Sequence, residues 1–551
     1  MSQPIPDFYF PEDHRLRAWV RRRELVTFLV LALAPVVLSW VYYLAFGLPV
    51  LLGVDDPASA KGPHGFPLWL RSAHYLNLFL LVLLVRSGLQ ILMDHPRLYW
   101  SVHSTPGTEW ARFTPLAEVP TDRPWTSKHD ARYLPGWIGL PGGRHTVGLA
   151  RLWHFPAALA WSAVGIAFVT LLGLTGQWTR IVPNTWRVIP EAAKVFVHYA
   201  TFHMPPEPDG FYQYNSLQEL AYFAIVFLAG PLTIATGLAM SPAIDGRFAW
   251  YPRLFGNHQA ARSIHFLLMV SYLGFTAVHV FFVVITGVIR NLDHIVLGSD
   301  EMRISGPVLA LAGIAVIVLA NFGANWACWH RARVLQRLTR PLVEGLTRRT
   351  LDPLRPSATF REEDISPRFW ANGELPTSDE WKALAADGFR DYRLEVGGLV
   401  DRPASFTLDE IRGMDRREQI TQHHCIQGWT GIAAWAGLPL ANLIERVGPR
   451  PEARFVVFRS FGEGLMGGEY YDCHSLDDAR HPQSLLAYEM NHETLNDLHG
   501  APLRLRVENQ LGYKMVKWIR SIEFVAGVEE VGKGYGGKNE DDEYYALVAN
   551  L

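Results

Sequence analysis

Residues 262–289 read RSIHFLLMVSYLGFTAVHVFFVVITGVI, a nearly unbroken apolar run longer than the roughly 20 residues that cross a bilayer as a helix. It carries His265 and His279, fourteen positions apart. At 1.5 Å rise and 100° per residue these lie about 21 Å apart along the axis and within about 40° of one face. One helix therefore offers an imidazole near each membrane surface. Ionisable side chains inside a membrane are costly and point to function, and imidazole is a common axial ligand of haem iron. Two histidines bonding to neighbouring helices are the plainer alternative.

Working outward, six segments are long and apolar enough to span: about 25–46, 68–92, 153–176, 217–240, 263–289 and 305–326. The weakest are the second, which contains Arg86, and the Gly-rich sixth, so five spans remain an alternative. Lys and Arg crowd the N-terminal flank (Arg15, Arg17, Arg21 to Arg23), the loop from Arg97 to Arg151 and the stretch from Arg331 to Arg349, while the other loops are poorer. That bias places both termini of a multi-pass membrane segment in the cytoplasm, and the soluble domain with them. The N-terminus lacks the order of a secretory signal, and its first apolar segment reads as a retained anchor. With alternating helix directions, His154 and His265 share the inner level, and His74 and His279 the outer. Two matched depths on three helices favour two bound haems over four independent structural histidines.

The totals conceal a split. Across 551 residues there are 51 Lys+Arg against 53 Asp+Glu and 49% hydrophobic residues, but the apolar residues concentrate before about position 325. At least two domains are expected at this length. The segments are 1–24 (cytoplasmic flank), 25–326 (membrane domain), 327–356 (basic linker against the headgroups), 357–526 (soluble domain) and 527–551 (polar tail). No basic patch interleaved with aromatics points to nucleic acid. Three cysteines, Cys328, Cys425 and Cys473, are too few for a disulfide scaffold. Cys328 reads as a packing residue, and His198, His203 and His294 as loop histidines.

The sequence RSAHYLNLFLLVLLVRSGLQI, then RLWHF, then IATGLAMSP, then a helix with two histidines fourteen apart, resembles the dihaem cytochrome b subunits of formate dehydrogenases, nickel-iron hydrogenases and thiosulfate reductases over about 65–300. That resemblance implies a four-helix core with two b haems, ligated by His74, His154, His265 and His279, and exchange of electrons with membrane quinone or quinol. Helices 1 and 6 are additions to it.

The soluble region changes period. Strands are expected at 392–400, 454–460, 503–508 and 517–525, and short helices at LDEIRGM and LPLANLIERV, which makes an α+β domain with irregular β structure. Cys425, in TQHHCIQGWTGI, could be a buried small residue, a nucleophile or a soft metal ligand. A zinc site is poorly supported, since no CxxC pair exists.

HCIQGWTGIAAWAGLPLANLIERV, RFVVFRSFGEG, HPQSLLAYEMN and HGAPLRLRVENQLGYKMVKWIRSIEF together resemble the molybdopterin domain of the sulfite-oxidase fold over about 360–526, nearest to the catalytic subunit of bacterial protein-methionine-sulfoxide reductase. By that resemblance Cys425 ligates molybdenum, and Asn372, Ser460, His499, Arg504, Gly512, Tyr513 and Lys514 bind the molybdopterin. Arg504 and Lys514 suit its phosphate. Ser460 stands where the reductase branch has threonine, and His499 where it often has asparagine. Sulfite oxidases carry arginines shortly after the ligand cysteine, whereas Ile426, Gln427, Gly428 and Trp429 follow here. His424 and Tyr471, with Trp429, Tyr470 and His474 nearby, are candidates for orienting an oxo substrate or supplying protons.

The expectation is a transmembrane helical bundle fused to a molybdopterin domain. A quinol-linked enzyme would reduce an S- or N-oxide. The reverse reaction, oxidation of a sulfite-like substrate, needs no different residue. A non-enzymatic electron-transfer or docking protein is the contrasting class, and the sequence leaves homo-oligomer formation open.

Overall fold

The computed structural model describes residues 16–51, 65–120, 125–143, 147–204, 210–339, 341 and 359–547. Residues 1–15 of the expected cytoplasmic flank and most of the expected basic linker, 342–356, lie outside the described residues, as do 548–551 of the tail.

Among the described residues, six helices are long and apolar enough to cross a membrane: Arg22–Phe46, Leu68–Leu92, Val147–Leu174, Ser216–Ala239, His258–Ile285 and Ser305–His330. The fifth starts earlier than the apolar run because Asn257 caps it, its side chain accepting from the amides of Gln259 and Ala260. It also stops four residues earlier, at Ile285. Gly287 takes φ 125°, a conformation side chains resist, and a separate helix, Val288–Leu297, follows. In the fourth helix a π-helical turn, Ala224–Ala229, precedes Pro231, whose missing N–H breaks the regular ladder.

Both weak spans are explained by one contact set. The Arg86 guanidinium donates to Asn321 Oδ1 of the sixth helix (2.8 Å) and to the carbonyls of Gly136 (2.7 Å) and Gly139 (3.1 Å). A buried charge persists only when so satisfied. Cys328 is buried and accepts from the Trp153 indole, as a packing residue would.

The loop between the second and third helices is itself a folded element. Arg97, fully buried, pairs with Asp130 (2.6 Å) and Glu109 (2.9 Å). Residues Arg97–Leu98 and Ala111–Arg112 form a small antiparallel ribbon with Trp19–Val20.

The C-terminal domain has strands β1 (Arg393–Gly398), β2 (Ala404–Thr407), β3 (Arg417–His424), β4 (Thr430–Pro439), β5 (Phe455–Glu463), β6 (Glu469–Ser475), β7 (Ser484–Met490), β8 (Arg504–Val507) and β9 (Ile519–Val525). One sheet runs β2-β1-β9-β5-β6, with β1 and β9 parallel. The other joins β3, β4 and β7, with β8 also on β7. All four expected strands and both short helices, Leu408–Arg412 and Leu440–Val447, are present. Leu394, Leu443, Val456, Phe458, Leu486, Leu505 and Ile519 fill the core between these elements, each worth about 1.5–3 kcal/mol when fully buried.

The segment expected to be a polar tail packs instead as part of this domain. Glu540 and Asp541 are buried, and Tyr545 is 3% exposed. Its backbone also receives Arg333 at Asp541 and Gln336 at Tyr544 and Tyr545, tying it to the helical stretch that follows the sixth helix.

Candidate functional site

The four membrane histidines meet in the two expected pairs. At one level of the bundle the His74 and His279 rings lie 6.4 Å apart, centroid to centroid. Two imidazoles on opposite sides of one metal, with bonds of about 2 Å, would stand about 6.3 Å apart, so this spacing fits a bis-histidine iron. At the other level His154 and His265 each meet a hydroxyl of a neighbouring helix in the same way. Ser87 Oγ meets His154 Nδ1 at 3.0 Å, and Thr236 Oγ1 meets His265 Nδ1 at 3.0 Å. With Nδ1 occupied, Nε2 is the atom that could ligate a metal. The residue after each hydroxyl is glycine: a Cβ at Gly88 would lie 3.3 Å from His154, and one at Gly237 3.6 Å from His265. The dipeptides Ser87-Gly88 and Thr236-Gly237 thus form matching cradles on helices 2 and 4.

In the C-terminal domain a cleft is lined by Asn372, Cys425, Ser460, His499, Arg504, Gly512 and Tyr513, seven of the eight expected cofactor residues. Cys425 occupies the turn joining β3 to β4, which Gly428 closes at φ 103°. Its thiol lies 3.9 Å from Asn372 Nδ2, and burial pushes it up to about 12. A bound metal cation would favour the thiolate there. At Gly512 an added Cβ would collide with the His423 ring, so only glycine fits.

The eighth residue is placed differently. Lys514 does not line the cleft; its ammonium forms ion pairs with Asp472 and Glu540, all three buried. Lys517, three residues on, lines the cleft instead with Arg504 and His499. Burial and the Arg504 charge hold its ammonium well below the ordinary lysine range. Burial and the neighbouring Arg504, Lys517 and Arg368 lower His499 to about 3. Buried Arg504 Nε has no hydrogen-bond partner. Crowded cations with an orphaned donor fit an anion such as a pterin phosphate.

Two other candidates are corrected by strand alternation, which sends adjacent residues to opposite faces. His423, not His424, lines the cleft, stacked on Trp429. Tyr470, not Tyr471, lines it too; its hydroxyl donates to the Tyr513 carbonyl (2.7 Å) and accepts from Asn539 (2.9 Å). Tyr471 turns away to Asp541, and His424 faces the membrane domain. His474 is likewise off the cleft, bonded to the Lys514 carbonyl. Of the histidines expected in loops, two lie on helices: His198, on Val188–Ala200, bonds Pro49 O and His203 O, and His294, on Val288–Leu297, bonds Asp300.

The turn after Cys425 is docked on the membrane domain. Arg151 donates to Ile426 O (3.0 Å), and Gln259 to Gly428 O (2.9 Å) and Thr430 Oγ1 (3.1 Å). Gln427 meets Ser127 Oγ at 2.5 Å and Asp94 O at 3.1 Å, and Trp429 donates to Ser127. Ile426, Gln427, Gly428 and Trp429 thus all contact the membrane domain. Arg262 bonds the carbonyls of Arg97 and His95 and packs against Gly428. Arg151 and Arg262 each precede a membrane histidine, His154 and His265, by three residues.

Residues 65–298 match the family described as prokaryotic cytochrome b561, and residues 382–531 the oxidoreductase molybdopterin binding domain. The chain is 34% identical over 171 residues to a protein-methionine-sulfoxide reductase subunit, YedZ1, of Azospira oryzae, covering 31% of this chain and 62% of that one. It is 31% identical over 182 residues to the protein-methionine-sulfoxide reductase catalytic subunit MsrP of Xanthomonas axonopodis pv. citri, covering 31% and 56%. The chain thus spans less than two thirds of the length of these relatives. A chain of the sulfane dehydrogenase SoxCD of Paracoccus pantotrophus is similar at 24% identity over 25% of this chain and 39% of that one, with a TM-score of 0.23, too low to carry an argument. In one polypeptide, then, a multi-pass cytochrome b561-type membrane segment is joined to a molybdopterin-binding oxidoreductase domain.

Proposed function

We propose that the protein takes electrons from membrane quinol and uses them to reduce an S- or N-oxide. The observation that carries this reading is the seat of the Cys425 turn on the first turns of the two helices that bear His154 and His265. His74 with His279, and His154 with His265, would hold two b haems; Cys425 would ligate molybdenum, and Asn372, Arg504, Lys517 and Tyr513 would hold its pterin. Bound there, these groups supply electron transfer and oxygen-atom transfer. The chain fixes their separation, keeps the inner imidazoles oriented through Ser87 and Thr236, and closes the junction against solvent.

The balance is simple: R2SO accepts two electrons and two protons to give R2S and water, and one quinol supplies both. Tyr470 and His423, in the cleft wall, are the groups placed to orient the oxo substrate. The names of the curated relatives support a sulfoxide, and the absence of arginines after Cys425 disfavours a sulfite dianion.

The oxidoreductase domain shares one face of the bundle with the start of helix 1, since Arg21 N donates to Trp110 O of the docked loop. We place that face in the cytoplasm on the Lys/Arg bias. Protein in liposomes is assayed with a quinol analogue against methyl sulfoxides, N-oxides and, with oxidised quinone, sulfite. Quinol oxidation dependent on a sulfoxide or N-oxide is expected; quinone reduction by sulfite alone would overturn the direction. Protease access to the domain in inverted but not right-side-out vesicles checks the orientation.

A further inference from the structure

His424, turned away from the cleft, enters a second cluster. Its partners belong to the membrane domain: Asp245, from the short helical turn Pro242–Asp245 that follows helix 4, and His258, the first residue of helix 5. One ligand atom from each lies within 4.8 Å of the others. His258 is 6% and His424 4% exposed, and the Asp245 side chain is 13% exposed.

The distances are not those of a hydrogen-bonded triad. Asp245 Oδ2 stands 3.4 Å from His258 Nδ1 and 3.6 Å from His424 Nε2, beyond the 2.7–3.2 Å of a good N–H···O bond. Buried His258 Nδ1 has no hydrogen-bond partner. A tetrahedral cation bonded at about 2.0–2.1 Å sets its ligand atoms about 3.3–3.4 Å apart and two imidazole centroids about 5.1 Å apart. The His258 and His424 rings are 5.2 Å apart at 60°. Gln422 Nε2 donates to Asp245 Oδ2 at 3.2 Å, orienting the carboxylate as outer-sphere partners of metal ligands do.

We propose that Asp245, His258 and His424 bind a divalent transition-metal cation of the zinc class across the junction of the two domains. Two imidazoles and a carboxylate suit zinc or cobalt better than magnesium or calcium, which prefer oxygen ligands. The ion would clamp the end of β3, one residue before Cys425, to the start of the helix that carries His265. The site needs only these three residues, whatever the substrate or the direction of electron flow.

The test uses the full-length protein with its molybdenum and haem in place, dialysed against EDTA and then titrated with Co2+ and Zn2+. Expected are one equivalent of either ion retained through gel filtration, and the intense visible absorption of tetrahedral cobalt. His258→Ala and Asp245→Asn should each weaken binding by more than the roughly 10–100-fold that outer-sphere changes cost. Haem and molybdenum contents, measured alongside, report whether each variant folds. Failure of the unaltered protein to retain either ion would overturn the site, as would equal retention by a folded His258→Ala variant.

Discussion

The Arg151 guanidinium donates to the carbonyl of Ile426 across 3.0 Å, joining the helix of His154 to the turn of Cys425. Two residues lie between Arg151 and His154, and Ile426 directly follows Cys425. The two candidate redox centres are thereby linked through few covalent steps and one charged hydrogen bond.

Replacing Arg151 by methionine should loosen that seat by about 1.5–3 kcal/mol, the worth of a hydrogen bond to a charged donor. Haem spectra and molybdenum content should stay as in the parent. Stopped-flow reoxidation of the reduced haems by a sulfoxide should slow about tenfold or more, by that same energy. Unchanged reoxidation would mean that electrons enter the cleft elsewhere.

Ser87→Ala and Thr236→Val each remove the oxygen that orients an inner imidazole. Such partners typically change metal affinity about 10–100-fold. A redox titration should therefore show one haem shifted or partly lost and the other unmoved. His279→Ala should have the complementary effect and spare the inner haem.

Lys514 and Lys517 separate stability from cofactor binding. Lys514→Met leaves Asp472 and Glu540 facing each other in the interior, at a cost of roughly 3–5 kcal/mol, read as a lower thermal midpoint. Lys517→Ala should leave that midpoint nearly unchanged and reduce the molybdopterin retained on purification.

His474 gives a pH dependence. Burial, then the Lys514 charge, lowers it to about 3, so the folded state binds fewer protons than the unfolded state between that value and about 6.5. Its contribution is thus present above about pH 6.5 and lost as the pH falls, by up to about 1.4 kcal/mol per pH unit. In denaturant melts His474→Gln should flatten the acid limb below pH 6.5 without changing stability at pH 8 by a comparable amount.

The legible features were local. Apolar runs of more than 20 residues located all six spans, and a spacing of fourteen placed His265 and His279 at two depths. Four strands and two helices followed from their periods. Signals for the errors were present as well. His423 and His424 are neighbours on one strand, as are Tyr470 and Tyr471, so choosing the wrong member of each pair is a single error of parity. The motif GYKMVKW offers two lysines, and composition does not distinguish a phosphate ligand from the centre of a buried ion-pair cluster. Ser87-Gly88 and Thr236-Gly237 were visible as a repeated hydroxyl-glycine pair, but only the approach of His154 and His265 gives them meaning.

By itself the sequence determined what depends on neighbours along the chain: the bilayer-length helices, the depth of each histidine, the strand periods and the cysteine turn. The tertiary structure alone decided which face of β3 and β6 looks into the cleft, that Asn539, Glu543 and Tyr545 line it, and that the Cys425 turn rests on Arg151 and Gln259. A period of two states that alternate side chains share a face, not what that face meets. What it meets is set by packing between elements hundreds of residues apart.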